Sequence, residues 1–551
     1  MSRPHTSETK PLLGAVPVIG SSSAQSHQRT EAQPTHSSDS ESNPGPQPSR
    51  AVEDDVLPET SALGRTLSWG SCFILVISRV IGSGIFATPG TIIREVGSPG
   101  LSIVLWLVGG VVASCSLAVS LEYGSMLPRS GGDKVYLEFT YRRPRFLASV
   151  VIAVYVILLG LTVSNCIIFS QYVLFAFGHE DAPAAERKCL AAGLLIGITS
   201  IHVIFPSAGV RTQNFFGWLK MGMAGLMVLC GLYVVLLRKD QVKEDATTRH
   251  NLPWDSLWED SVWSWSAIST ALFKVFYSYA GLDNMVNVLN EVKNPVRTLK
   301  TVSITALVTA CAMYLLVNIA YLSVVPLDEI KQSGELIAAL FFEKVFGPQL
   351  GRTVLPLAVA LSAAGNVMVV SFALARVKQE IARQGILPYG SFLSSTRPFG
   401  SPLGGFLLHF IPSFLVIVLP PSQGVYSFVL ELEQYPAQIL SLLLAIGLLR
   451  LRYQRPDLKR PFKAWRPAIA VKMAMSLTLL ATALVPPKDL YKDGIFYATY
   501  AITGTSVLLI GVLYWWVWTV LVPRWRGYRL EEDVEVLEDG TSITRLVHKV
   551  E

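Results

Sequence analysis

From Leu67 onward the chain is a succession of long apolar runs, and their length leaves few folds open. Each covers roughly 17 to 30 residues, enough to bridge a hydrocarbon core about 30 Å thick as a helix. Lipid offers no partner for backbone N–H and C=O groups, so runs of this length must satisfy them internally, whereas barrel strands would be shorter and would alternate. About twelve such spans are expected, centred near Ile81, Ala113, Leu159, Ile196, Gly225, Tyr279, Met313, Ala364, Leu408, Ala437, Leu477 and Leu509. With 51% hydrophobic and 16% charged residues, the composition excludes an ordinary soluble domain. The expected fold is an all-α polytopic membrane protein.

Residues 1–64 differ: Ser, Thr, Pro, His and Gln dominate, and no positive segment leads into a cleavable apolar core. They are expected to form a disordered cytoplasmic tail. Cys72, Cys115, Cys166, Cys230 and Cys311 lie within or beside apolar runs and only Cys189 borders a loop, so no disulfide framework is expected. Lys and Arg concentrate after the even spans, most densely from Arg450 to Arg466, and the positive-inside rule then puts both termini in the cytoplasm.

Two spans carry polar, glycine-containing interruptions at mid-depth. Span 1 has "RVIGSGIFATPG", with Gly82, Ser83 and Gly84; span 6 has "KVFYSYAGLDNMV", with Ser278, Ala280 and Gly281. One Gly-x-Gly is explained by close helix packing. Two at matching positions, each opening a group of five spans, point instead to an inverted-repeat transporter with its binding site at the midplane. Where such a helix unwinds, N–H groups at the start of the second half face an anion and the carbonyls ending the first half accept from an ammonium group. An α-amino acid presents both charges on one carbon.

The segments "IGSGIFATPGTIIREVGSPGLSIVLWLVGG", "EYGSMLPRSGGDKVYL", "YSYAGLDNMVNVLNEVKNPVRTLK" and "RPDLKRPFKAW" carry a family resemblance. In this order they are similar to the L-type amino-acid transporter branch of the amino acid–polyamine–organocation superfamily, and within it most of all to the fungal high-affinity methionine permeases. The resemblance covers about Gly64 to Trp525 and implies a LeuT-type arrangement: a first repeat over 65–240 (spans 1–5), a second over 241–452 (spans 6–10), spans 11–12 over 453–523 and a cytoplasmic tail over 524–551. It implies that a substrate carboxylate meets the backbone at Ser83 and Gly84. The amine then meets carbonyls at Ile81, Tyr277, Ser278 and Ala280, with Gly82, Tyr279 and Gly281 completing the set and Tyr277 standing at the family's aromatic gate. The heteromeric relatives join a single-span subunit through a cysteine after span 3. Here Cys189 falls too near span 4, so a stand-alone permease is expected rather than one with a heavy chain.

Ionisable groups at bilayer depth are candidates for function. Lys220 in "NFFGWLKMGMAGLMV" aligns with a family lysine that stands where sodium-coupled relatives hold a cation; equally, it lies close enough to the span's start to snorkel. Glu431 and Glu433 in "YSFVLELEQYPAQIL" cannot both face one pocket, because residues two apart on a helix diverge. Either one of them carries a proton, or the segment is loop and the helix starts near Pro436. Glu122 and Glu291 end spans 2 and 6, either as inner-gate candidates with nearby Arg or Lys or as acids that merely solvate the helix ends. Ser164, Asn165 and Asn366, with Thr162 and Gly365, place small polar groups at mid-depth in spans 3 and 8 as second-rank pocket candidates.

The sequence has no P-loop, HExxH or Cys-His set, and His202 and His409 stand alone in apolar spans. No enzyme, cofactor, metal or nucleic-acid role is expected. The expectation is a proton-coupled permease for neutral amino acids, methionine foremost, in the plasma membrane. The alternatives are an L-type amino-acid exchanger and a non-transporting amino-acid receptor. Lys10 with Glu53, Asp54 and Asp55 is a candidate site for a ubiquitin-ligase adaptor.

Overall fold

The computed structural model describes residues 65, 67–82, 84–179, 182–237, 254–395, 400–419, 425–486, 491–492, 495–536 and 542–550. The tail with Lys10, Glu53, Asp54 and Asp55 lies outside them, as does Ser83.

Ten helices among the described residues are long and apolar enough to cross a membrane, from Trp69–Val96 to Thr499–Arg526. They contain all the expected centres except Tyr279 and Leu408, which fall on two shorter helices, Trp265–Tyr279 and the apolar Leu403–Val418. At 1.5 Å per residue a 15-residue helix covers only about 22 Å. Span 6 therefore reaches across only together with the 3₁₀ segment Asn284–Glu291 on the far side of its interruption. Packing follows the order of the two groups of five: the second half of span 1 lies on span 6, span 2 on span 7, and span 3 on span 8.

Span 1 is divided as its glycines imply. Ser68 caps Trp69–Val80 by accepting from the Ser71 N–H, and the helix resumes at Gly84–Val96 after Ile81 and Gly82. Glycine is needed here for space as much as for its weak helix propensity. A Cβ on Gly82 would stand 2.6 Å from Asn366 Nδ2, and one on Gly84 would stand 2.7 Å from Ser278 Oγ. In span 6 the chain turns at Gly281, whose φ of +105° suits glycine and few other residues.

A third interruption was not expected. Span 3 divides into Leu147–Leu159 and Val163–Ala176, with Gly160, Leu161 and Thr162 between them. In span 10 the helix runs unbroken over Val425–Gln454 with Pro436 inside it, which overturns the reading of Glu431 and Glu433 as loop residues. The segment expected as a carboxyl-terminal tail begins as helix, to Arg526, and continues as an antiparallel hairpin of Tyr528–Val536 with Ser542–Val550.

Glu122 is fully buried at the end of span 2. It binds Arg452 through Nη2 and through Nε at 2.9 Å, accepts the Ala464 N–H at 2.8 Å, and lies 3.5 Å from Arg460 Nε. It thus joins span 2 to the end of span 10 and the loop beyond. Glu291 closes the 3₁₀ segment, and its neighbour Lys293 donates its N–H to Leu67 O at 3.0 Å, which ties the end of span 6 to the entry of span 1. All six cysteines are free.

Candidate functional site

The interruptions of spans 1, 3 and 6 meet on one cavity of about 40 Å³. Gly82 and Gly84 line it from span 1, Tyr277, Ser278 and Ala280 from span 6, Leu161, Ser164 and Asn165 from span 3, Asn366 from span 8 and Glu433 from span 10. Three residues of the expected substrate set are not on its wall, nor are Thr162 and Gly365 of the second-rank candidates. Ile81 is buried beside it; Tyr279 turns toward span 2, its hydroxyl 3.4 Å from Trp106 O; and Gly281 packs against the side chain of Arg79. Of the two span-10 acids, only Glu433 lines the cavity, as their spacing requires.

A chain of side-chain hydrogen bonds crosses the site. Asn366 Nδ2 donates to Asn165 Oδ1 at 3.0 Å, Asn165 Nδ2 donates to the Tyr277 hydroxyl at 3.3 Å, and that hydroxyl pairs with Ser164 Oγ at 3.0 Å. The second-rank candidates of spans 3 and 8 therefore hold the expected gate residue. Asn366 Oδ1 is buried with no partner among the described residues. Behind Gly84, Thr88 Oγ1 donates to its carbonyl at 2.9 Å and lies 3.1 Å from Ser278 Oγ, fixing the two interruptions side by side.

Sequence reasoning missed two residues of the site. Tyr314, in span 7, places its hydroxyl 2.8 Å from Val80 O and 2.6 Å from Ser278 O, one carbonyl from each broken helix. A tyrosine at helical spacing in an apolar run reads as core, and nothing in the sequence distinguishes it. Removing the hydroxyl leaves a buried carbonyl without its donor, worth roughly 1–3 kcal/mol. Tyr314→Phe is expected to lower the stability of the solubilised protein by about that amount, read as a lower thermal midpoint, while Tyr279→Phe, on the same aromatic cluster, changes it less.

Arg79 is the other. It ends the first half of span 1, lines the cavity, and has Glu433 and Asp283 as its acidic neighbours. The rule that selects Lys220 from sequence selects Arg79 equally, but the glycine motif beside it draws the eye. Lys220 is fully buried, which excludes snorkelling. Its Nζ has no hydrogen-bond partner among the described residues, and Arg79 is the charge that acts on it. The half-helices Gly84–Val96 and Trp265–Tyr279 are joined by the buried Lys274, 3.5 Å from Glu95. No group of three or more metal-ligating side chains is present among the described residues.

A bundle of membrane helices with interruptions converging on a small polar cavity is the architecture of a solute carrier. The sequence profile of the amino acid permease family matches residues 67–517, and the chain belongs to that family. It is 33% identical to the low-affinity methionine permease of Saccharomyces cerevisiae over 488 residues, 88% of each chain. With the high-affinity methionine permease of the same yeast it shares 33% identity over 481 residues, 85% of this chain and 82% of the relative. The human b(0,+)-type amino acid transporter 1 is 25% identical over 487 residues, 87% of this chain and 94% of the relative. The relatives are permeases and transporters, not enzymes, as expected of this chain.

Proposed function

We propose that this protein imports neutral amino acids, methionine foremost, across the plasma membrane by alternating access, coupled to the proton gradient, with both termini in the cytoplasm. The observation that carries this reading is the meeting of two broken helices on one cavity, in a chain similar along most of its length to methionine permeases. The packing of spans 1, 2 and 3 on spans 6, 7 and 8 supports an inverted repeat of five plus five spans, with the two short helices completing twelve.

In this reading the substrate carboxylate faces the N–H groups that open the second half of span 1 at Gly84, where the half-helix contributes partial positive charge. The α-ammonium faces carbonyls at the ends of the first halves, and the thioether lies toward the apolar wall. Apolar pockets discriminate by size, at roughly 1–3 kcal/mol per methylene, so methionine rests on similarity to its permeases rather than on one residue. Tyr277 closes the site from one side.

Glu433 is the proton carrier in this scheme. It reaches the cavity, its Oε1 is buried without a hydrogen-bond partner among the described residues, and Arg79 is the cation beside it. Glu433→Gln keeps the shape and removes the titratable group. Uptake measured across a pH series is expected to rise steeply with external acidity in the wild type and to lose most of that dependence in the variant, while Glu431→Gln retains it.

The reading is tested by labelled methionine uptake into empty liposomes with an inward proton gradient. Accumulation above equilibrium supports it. Flux that requires preloaded amino acid makes the protein an exchanger, and specific binding without flux makes it a receptor.

A further inference from the structure

A second polar cluster is buried behind the cavity, between spans 3, 8 and 9. Lys378 is fully buried, and its Nζ lies 3.1 Å from Gly160 O, 3.4 Å from Leu408 O and 3.4 Å from His409 Nδ1. An ammonium group has three hydrogens and accepts none. Two of them face the carbonyls of Gly160 and Leu408. His409 Nδ1 also lies 3.1 Å from Gly160 O, a carbonyl that can only accept, so the imidazole donates its Nδ1–H there and its Nε2 accepts from Thr162 Oγ1 at 3.2 Å and Ser371 Oγ at 3.1 Å. His409 is thus not the isolated packing residue its sequence context suggests. Among the described residues the acceptors of the ammonium are two carbonyls, with the imidazole beside them and no acid.

The position of this cluster gives it a task. Gly160 and Thr162, which Lys378 and His409 hold, are the two ends of the three-residue interruption of span 3. The residue between them, Leu161, lines the cavity, as do Ser164 and Asn165 just beyond, and the last two bind the Tyr277 hydroxyl. The carbonyls that a broken helix leaves without partners need donors, because the bilayer supplies none. An internal cation facing carbonyl oxygens provides them.

The geometry points to Lys378 and His409 as the positioning pair of the substrate site: they pin the interruption of span 3 and thereby set where Leu161, Ser164 and Asn165 stand in the cavity. Neither side chain touches the substrate in this scheme. The role in affinity rests on the reading of the cavity as the amino-acid site; the pinning itself does not.

Two readouts separate those parts. The first is modification of native cysteines by a small methanethiosulfonate reagent in full-length protein, followed site by site by mass spectrometry. Cys166 is fully buried one turn past the interruption, Cys72 is fully buried in span 1, and Cys189 is exposed and serves as reference. Lys378→Met is expected to speed modification of Cys166 about tenfold relative to Cys189 and to leave Cys72 unchanged, since lost donors let span 3 open locally. The second readout is methionine uptake kinetics: KM is expected to rise about tenfold, with kcat within about threefold. Lys378→Arg, which keeps charge and donors, is expected to return both toward the wild type. Thr162→Val, a milder change at the same junction, is expected to shift both in the same direction.

Equal exposure of Cys72 and Cys166 in Lys378→Met, or no change at Cys166, overturns the pinning. A fall in kcat at constant KM overturns the role in affinity. Wild-type protein that neither binds nor carries methionine would refute the proposed substrate, and selective exposure of Cys166 would still establish the pinning.

Discussion

Gly84→Val is expected to reduce methionine uptake by about a hundredfold or more, the scale on which a displacement of about 1 Å at a positioned site is felt. A Cβ at this position would stand 2.7 Å from Ser278 Oγ and 3.0 Å from Ser278 Cα. Oγ could rotate away, but Cα belongs to the backbone of the other interruption and moves only with it. Valine adds two methyl groups to that conflict. The half-helix start and the carbonyl that face the carboxylate and the ammonium in the proposed scheme are therefore pushed apart together. Gly84→Ala meets the same atoms with less bulk and is expected to retain a measurable fraction of uptake. Comparing both variants with wild type at equal amounts of reconstituted protein separates loss of the site from loss of the fold. Uptake by Gly84→Val within about threefold of wild type would mean that these two segments do not form the site.

Glu122→Ala is expected to have the largest effect on stability. The carboxylate is fully buried and serves Arg452, Arg460 and the Ala464 N–H together. Its removal leaves two guanidinium groups of low exposure without their anion, and breaking a buried pair from one side costs about 3–5 kcal/mol. The variant is expected to lose that much stability and to become sensitive to proteolysis in the loop of residues 455–465, whose course depends on the Ala464 contact. Glu122→Gln, which still accepts from Ala464, is expected to lose less. Thermal midpoints of the solubilised variants, with limited digestion alongside, check both.

The spans were legible because a bilayer permits little else. The pocket was legible wherever small or polar residues stood against an apolar background: Gly82, Gly84 and Ser278 at the interruptions, and Ser164, Asn165 and Asn366 in the flanking spans. Glu433 could be named only as one of a pair, since nothing in sequence fixed the start of its helix. The interruption of span 3 rests on a single Gly160, a signal that close packing explains equally well. His409 appeared solitary because Gly160, Thr162, Ser371 and Lys378 are remote in the chain, and only the packing of spans 3, 8 and 9 makes them neighbours. Tyr314 was hidden for a related reason: its function lies in an oxygen that reaches two backbones, while its ring looks like any other core aromatic.

That oxygen also bears on how firmly the two interruptions are joined. The Tyr314 hydroxyl has one hydrogen and reaches two carbonyls, Val80 O and Ser278 O. Val80 O also accepts the Gly82 N–H at 2.8 Å, so the hydroxyl hydrogen can turn to Ser278 O and leave neither carbonyl without a donor. One side chain of span 7 thus bridges both broken helices, and any motion that separates them has to break that bridge.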